Sequence, residues 1–149
     1  DKYDSTVLYG LEAGKYRLAL KTPKDQIINV EYTRDKSKKK AAYKKSKAIH
    51  LKSDIDSIYT STEKAARWYK VSVSSTKKRK AVTLSKDSVG GGFKFCVYQK
   101  GKRLKTVKVT KNDKVKTVKL PKKKGAYYVK VTKLTSKTTG AYYLGTYTY

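Results

Sequence analysis

Near its C-terminal end the chain reads Gly125-Ala126-Tyr127-Tyr128-Val129-Lys130-Val131, in which apolar and other side chains alternate after a turn glycine. A period of two predicts a β-strand with one buried face. We expect Tyr127, Val129 and Val131 to face a core. The same period recurs in further short segments: Tyr16–Leu20, Tyr69–Val73, Phe93–Val97, Leu104–Val109 and Val115–Leu120. Turns rich in Gly, Lys or Asn-Asp separate these segments, and helical periodicity is weak outside a short stretch around Lys38–Lys47.

This pattern predicts an all-β protein, an antiparallel jelly-roll-like sandwich with about eight strands over residues 35–149. The chain has 149 residues, which fits one domain or one domain plus part of another. No apolar run approaches the ~18 residues of a membrane-spanning helix, and we expect no signal peptide.

The composition excludes most enzyme classes. With 38 Lys+Arg against 11 Asp+Glu, the formal net charge is +27, and the chain has one His, one Cys, one Trp and 14 Tyr. One cysteine excludes an internal disulfide, and no zinc-ligand set is visible. What remains is a basic, tyrosine-rich binding or structural module.

An internal repeat divides the chain. Val7–Leu20 and Val118–Val131 each place a turn glycine two residues before a strand that begins with Tyr, and each copy continues into a second strand that ends Tyr-Thr. We interpret residues 1–34 as the C-terminal hairpin of a preceding partial repeat, and residues 35–149 as a complete domain. The alternative is that any two β-hairpins look alike. Half a sandwich exposes its sheet edges, so we expect this hairpin to pack on the domain or to pair with another chain.

The strands also carry a family resemblance. The decisive segments are Arg67-Trp68-Tyr69-Lys70-Val71-Ser72-Val73, Gly125-Ala126-Tyr127-Tyr128-Val129-Lys130-Val131 and Gly140-Ala141-Tyr142-Tyr143-Leu144. Over residues 45–149, with a partial match at 1–33, the chain resembles the bacterial pre-peptidase C-terminal (PPC) domain family, to which the collagen-binding modules of clostridial collagenases are similar. The resemblance implies a β-sandwich on a secreted, often Gram-positive, multidomain protein. Such a module is a non-catalytic appendage that binds matrix or cell-surface polymers, or assists an attached enzyme.

One family property is not expected here. Many relatives bind calcium through an acidic stretch before the domain, but the corresponding stretch, Arg34–Lys47, is rich in lysine. Acidic positions common beside the central strand are here Gly90-Gly91-Gly92 and Lys94. Calcium needs about six to eight oxygen ligands, usually including carboxylates. We therefore predict no metal site in this linker and no cofactor.

Catalytic residues are hard to assemble from this sequence. His50 lies in a short segment that we expect at a sheet edge, and Cys96 should face away from Phe95 and Val97. A Cys–His pair is conceivable but no motif supports it. Asp54 and Asp56 belong to an expected turn. We predict that the chain is not an enzyme.

The basic residues point to an anionic partner. Candidate polyanion-binding residues lie in the lysine-rich runs: Lys38, Lys39, Lys40, Lys44, Lys45, Lys77, Lys78, Arg79, Lys102 and Arg103. Lysines are also expected on outward strand positions, at Lys105, Lys108, Lys116, Lys119 and Lys130. A positive field attracts polyanions in general, but lysine exceeds arginine and no nucleic-acid-binding motif is present. Anionic cell-wall polymers such as teichoic acids, acidic glycans or extracellular matrix are the preferred partners, unless the lysines merely solubilise the surface.

Outward aromatic rings could supply contact area. The parity of the strands selects Trp68, Tyr128, Tyr143, Tyr147 and Tyr149. Exposed rings stack on sugars or contact protein, although such rings also cover seams between domains. The sequence thus predicts a secreted or cell-surface, non-catalytic binding module for anionic polymers. The alternative is a structural spacer without a ligand.

Overall fold

The computed structural model describes residues 10–19, 21, 24, 41–52, 54–60 and 63–149, without the side chains of 56–58 and 87–90. Within these ranges the chain forms one short 3-10 helix, Lys45–Lys47, and no helix that is long and apolar enough to cross a membrane. The strands of the described ranges are β1 (Ile49–His50), β2 (Ile55–Tyr59), β3 (Arg67–Val73), β4 (Lys80–Gly90), β5 (Phe93–Gln99), β6 (Lys102–Val109), β7 (Val115–Lys119), β8 (Gly125–Lys133) and β9 (Thr139–Thr148).

Two sheets form a sandwich. The five-stranded sheet has the order β1-β3-β8-β5-β6, and the four-stranded sheet has the order β2-β9-β4-β7. Neighbouring strands are antiparallel except at one edge, where β1 runs parallel to β3 with Ile49 opposite Tyr69. The all-β sandwich predicted from the alternation is confirmed, and the parallel edge strand is an addition to it.

The core lies between the sheets and follows the period of two. In β3 every second residue is buried, from Arg67 to Val73. Three aromatic rings meet at the centre, where the centroids of Phe93 and Tyr142 are 5.0 Å apart and Tyr59 lies within 5.9 Å of both. Branched and aromatic side chains fit a pleated, half-buried surface, which explains why these segments form strands.

Three predictions about local structure are wrong or only partly met in the described residues. Tyr16–Ala19 forms no strand and is exposed, while Leu20 and residues 27–33 lie outside the described ranges. The only helical part of the Lys38–Lys47 stretch is the turn at Lys45–Lys47, with residues 38–40 again outside those ranges. In β7, Val115 and Val118 lie on opposite faces of the sheet, so only Val118 is buried and the apolar residues of this segment do not share one face.

Two of the lysines expected on outward positions lie on the inner side instead. Lys105 is opposite the buried Val97, and Lys116 is opposite the buried Leu84. Paired residues of adjacent strands share a face of the sheet. Both lysines stay exposed because β6 and β7 are edge strands, and Lys105 lines a groove between these two edges.

Hydrogen bonds at Gly10 connect the N-terminal part of the chain to the sandwich. The Gly10 N–H donates to Thr139 Oγ1 at 3.1 Å, and the Thr139 hydroxyl donates to the Gly10 carbonyl at 2.7 Å. The same hydroxyl lies 3.1 Å from the Tyr59 carbonyl oxygen. Gly10 is therefore buried at the start of β9, on the same chain.

Candidate functional site

The outer face of the five-stranded sheet carries two rows of side chains that cross four strands. The first row is Lys70, Tyr128, Tyr98 and Arg103, and the second is Trp68, Lys130, Cys96 and Thr106. Their chain neighbours, among them Tyr69, Val97 and Val129, are buried in the core, so these rows face outward. We call the charged and aromatic members, together with Lys45, the platform: Lys45, Trp68, Lys70, Tyr98, Arg103, Tyr128 and Lys130.

Aromatic rings and cations alternate on the platform. The ring centroids of Trp68 and Tyr98 are 5.6 Å apart, in a tilted arrangement. Lys45 Nζ lies 4.7 Å from the ring centroid of Tyr128, and Lys130 Nζ lies 5.6 Å from that of Trp68. Both distances are within the ~6 Å over which a cation is attracted to a ring face. The three rings are half-buried, so each keeps part of its surface for a ligand.

Backbone hydrogen bonds place Lys45 over the sheet. The Trp68 N–H donates to the Ala42 carbonyl at 2.8 Å, and the Leu51 N–H donates to the Lys70 carbonyl at 2.9 Å. These bonds lay the segment between Ala42 and Leu51 against β3. The 3-10 turn at Lys45–Lys47, closed by a bond from Lys47 N–H to the Lys44 carbonyl, then directs Lys45 to Tyr128.

A β-bulge determines which residue lies at the end of the first row. The register of β5 and β6 shifts between Val97 and Tyr98, which brings Arg103 opposite Tyr98. The pKa of the Tyr98 hydroxyl is raised, chiefly by burial and also by the nearby Cys96 thiol. Arg103 lowers this pKa by a smaller amount. Tyr98 is therefore neutral at physiological pH and can donate a hydrogen bond to a ligand beside a fixed positive charge.

Three basic loops meet at one end of the sandwich. They hold Lys77, Lys78, Arg79, Lys100, Lys102, Lys122, Lys123 and Lys124. β8 begins with Gly125 opposite Val73, and its Tyr127 is opposite Gln99, so the loops before β4, before β6 and before β8 lie side by side. We call this set of loops the basic end. It adjoins the platform at Arg103.

The candidate residues chosen from sequence are distributed over three places. Lys45, Trp68, Arg103 and Tyr128 come together on the platform, beside the exposed Lys44. Lys77, Lys78, Arg79 and Lys102 belong to the basic end. Tyr143, Tyr147 and Tyr149 lie on the outer face of the other sheet, and Lys38, Lys39 and Lys40 lie outside the described residues.

The sequence interpretation missed Tyr98 and Lys70. Both have the outward parity of their strands, Phe93–Gln99 and Arg67–Val73, so the alternation already contained that signal. What it lacked was the strand order, which brings the two residues into one row through Tyr128.

The reactive side chains stay apart. His50 lies at the sheet edge on β1, as expected, with Nε2 3.1 Å from Ser72 Oγ. Cys96 faces away from Phe95 and Val97 but is buried, with Sγ 3.4 Å from Thr106 Oγ1. Three strand spacings, about 14 Å, separate their strands. In the described part of the chain no three His, Cys, Asp or Glu residues cluster as metal ligands.

No protein-family model and no curated protein sequence matches this chain. Among solved structures, the pre-peptidase C-terminal domain of collagenase from Bacillus anthracis matches with a TM-score of 0.51 at 18% identity, covering 67% of this chain and 92% of that domain. A family 35 carbohydrate-binding module from an environmental isolate has a TM-score of 0.43 at 15% identity, covering 68% of this chain and 78% of the module. At such identities the likeness concerns the fold, and the chain is a β-sandwich similar to the PPC domain that its strand motifs resemble.

Proposed function

We propose that this chain is a non-catalytic binding module that attaches to anionic polymers through the platform and the basic end. The partner class is an anionic cell-wall polymer, an acidic glycan or extracellular matrix. The lysines supply attraction over distance, and the rings of Trp68, Tyr98 and Tyr128 supply contact area. Residues 35–149 form the domain, and residues 1–34 are the end of a preceding repeat.

The observation that carries the proposal is the charge of the five-stranded sheet. Its strands contain no Asp or Glu, and five of their basic residues face outward: Lys70, Lys94, Arg103, Lys108 and Lys130. Charges of one sign on a face produce a potential that concentrates counter-ions and speeds encounter with a polyanion. A solubilising surface needs no aromatic rings between its cations, so the alternation on the platform favours a contact surface.

The same arrangement favours a polymer over a small molecule. The first row spans four strands, a length of about 14 Å, and it continues into the basic end. An extended chain with repeated negative groups can contact several cations along such a surface. The similarity in fold to a collagenase accessory domain supports a secreted or cell-surface location.

Binding at two salt concentrations tests the proposal. Teichoic acid, hyaluronan, collagen and neutral dextran are immobilised, and binding is measured at low salt and at physiological salt, where the Debye length is ~8 Å. A binding module keeps selective affinity for one anionic polymer at physiological salt. A structural spacer loses all binding in parallel, and that result would reject the proposed function.

A further inference from the structure

The outer face of the four-stranded sheet holds a second arrangement, of different chemistry. The outward positions of β9 include Tyr143, Gly145 and Tyr147, and Tyr149 directly follows the strand. The three tyrosines are 44–47% exposed. Tyr143 and Tyr147 are separated by about 13 Å along the strand. Gly145 has no side chain, and the Asp54 carboxylate lies over it, between the two rings.

Hydroxyl side chains continue the space between these rings across the sheet. Gly145 is opposite Thr83 on β4, and Thr83 is opposite Thr117 on β7, with their hydroxyl oxygens 2.9 Å apart. On the other side Asp54 precedes Ile55, the partner of Leu144, and its carboxylate occupies the space that a Cβ at residue 145 would need. We call these residues the trough: Asp54, Thr83, Thr117, Tyr143, Gly145 and Tyr147.

The Asp54 carboxylate is available to a ligand. The ion pairs found in the described part of the chain are Arg67–Glu63 and Lys116–Asp113, and neither involves Asp54. Asp54 is exposed, and no described residue donates a hydrogen bond to it. A carboxylate between two rings repels an anionic chain and accepts hydrogen bonds from hydroxyl groups.

We infer that the trough binds a neutral oligosaccharide chain that runs across the strands. The rings of Tyr143 and Tyr147 would contact the apolar faces of the sugar rings. Asp54, which lies over Gly145, and the Thr83–Thr117 pair would meet the sugar hydroxyls. This site goes beyond the proposed function, because it lies on the opposite sheet and takes an uncharged ligand.

The test is a titration with uncharged probes, cellohexaose, chitohexaose and maltohexaose, followed by backbone amide NMR. Salt of about 1 M shortens the Debye length to ~3 Å and suppresses the lysine field. One of the probes is expected to shift the amide signals of Thr83, Thr117 and Gly145. Tyr147→Ala and Asp54→Asn should each weaken this binding about tenfold or more.

Matched controls separate the trough from the platform. Tyr128→Ala and Trp68→Ala, both on the other sheet, should keep the affinity for the oligosaccharide. Asp54→Asn should not weaken teichoic acid binding at low salt, so failure of this inference and failure of the proposed function are distinguishable.

Three outcomes would overturn the inference. They are the absence of binding by all three probes at millimolar concentration, shifts confined to the platform, and shifts of the trough amides caused only by a triple-helical collagen-type peptide. Gly145→Val provides a further check. The φ of Gly145 is not in the left-handed region, and the new side chain would displace the Asp54 carboxylate, so a folded variant should lose the oligosaccharide.

Discussion

Tyrosine hydroxyls meet in the middle of the core. The oxygens of Tyr69 and Tyr142 are 2.5 Å apart, and both rings are fully buried. The Tyr59 hydroxyl lies 3.0 Å from the carbonyl oxygens of both Ala65 and Val131. Burial raises the pKa of Tyr142 well above its ordinary value, and burial likewise raises that of Tyr59. The phenols of Tyr59 and Tyr142 are therefore stable in the core only as neutral groups.

This raised pKa predicts a loss of stability at high pH that is specific to Tyr142. In the unfolded chain the phenol ionises above about pH 10, whereas in the folded chain it stays protonated. Its contribution is thus fully present below about pH 10 and declines as the pH rises toward the folded-state pKa. In urea unfolding, the stability of the wild type relative to Tyr142→Phe should be constant near neutral pH and fall by up to about 1.4 kcal/mol per unit above pH 10. A difference that does not change with pH would contradict this account.

At the residue scale the sequence predicted whether a side chain faces the core better than it predicted which residues that side chain contacts. Alternation correctly assigned Tyr142 inward and Tyr143 outward. It gave no reason for the inward position of Arg67, which is buried, pairs with Glu63 and lies 4.2 Å from the ring centroid of Tyr59. A charge in a core is tolerated when it is paired and hydrogen-bonded, and that pairing depends on a loop whose path the period of two does not describe.

At the element scale, the strands with strong alternation were predictable and the edges were not. The central strands β3, β5 and β8 match the predicted segments closely. β7 is an edge strand, and its inward residue Lys116 is exposed to solvent. An inward position of this strand therefore need not be apolar. The parallel pairing of β1 depends on its position relative to β3, which local pattern does not encode.

The short strand β1 is expected to contribute to stability despite its position at the edge. Leu51, directly after β1, is 4% exposed and packs into the core, whereas Leu104 on the opposite edge is 42% exposed. Leu51→Ala should cost about 2–5 kcal/mol of unfolding free energy. Leu104→Ala removes the same atoms and should cost less than about 1 kcal/mol, because little area is buried there. If Leu51→Ala lowers the unfolding free energy by less than about 1 kcal/mol in urea denaturation, as expected for Leu104→Ala, then β1 is not part of the cooperative unit.

At the scale of the whole molecule, the two outer faces differ in charge. The five-stranded sheet contains only basic charges, while the four-stranded sheet presents tyrosines around an exposed carboxylate. The net charge of +27 is a property of the sequence, but the separation of faces results from strand order. For that reason the composition predicted an anionic partner but could not show which surface of the protein would bind it.

The N-terminal segment should contribute to the stability of the sandwich. Removal of residues 1–34 eliminates the hydrogen bonds between Gly10 and Thr139, while the buried core residues, from Ala42 onward, remain. We expect the shortened chain to fold with a lower melting temperature. A chain that lacks only residues 1–9 is the control, because it keeps Gly10. An unchanged melting temperature and solution mass after removal of residues 1–34 would refute both packing on the domain and pairing with another chain.

The most direct measurement of the central claim compares two double variants that lower the net charge by the same amount. Lys45→Gln with Arg103→Gln alters the platform, whereas Lys111→Gln with Lys137→Gln alters exposed loops at the opposite end of the sandwich. The affinity for teichoic acid is measured at physiological salt, with circular dichroism to confirm folding. We predict that the platform variant binds about tenfold more weakly and that the loop variant stays within about twofold of the wild type. Equal weakening in both variants would mean that net charge alone drives binding, and would contradict a specific attachment surface.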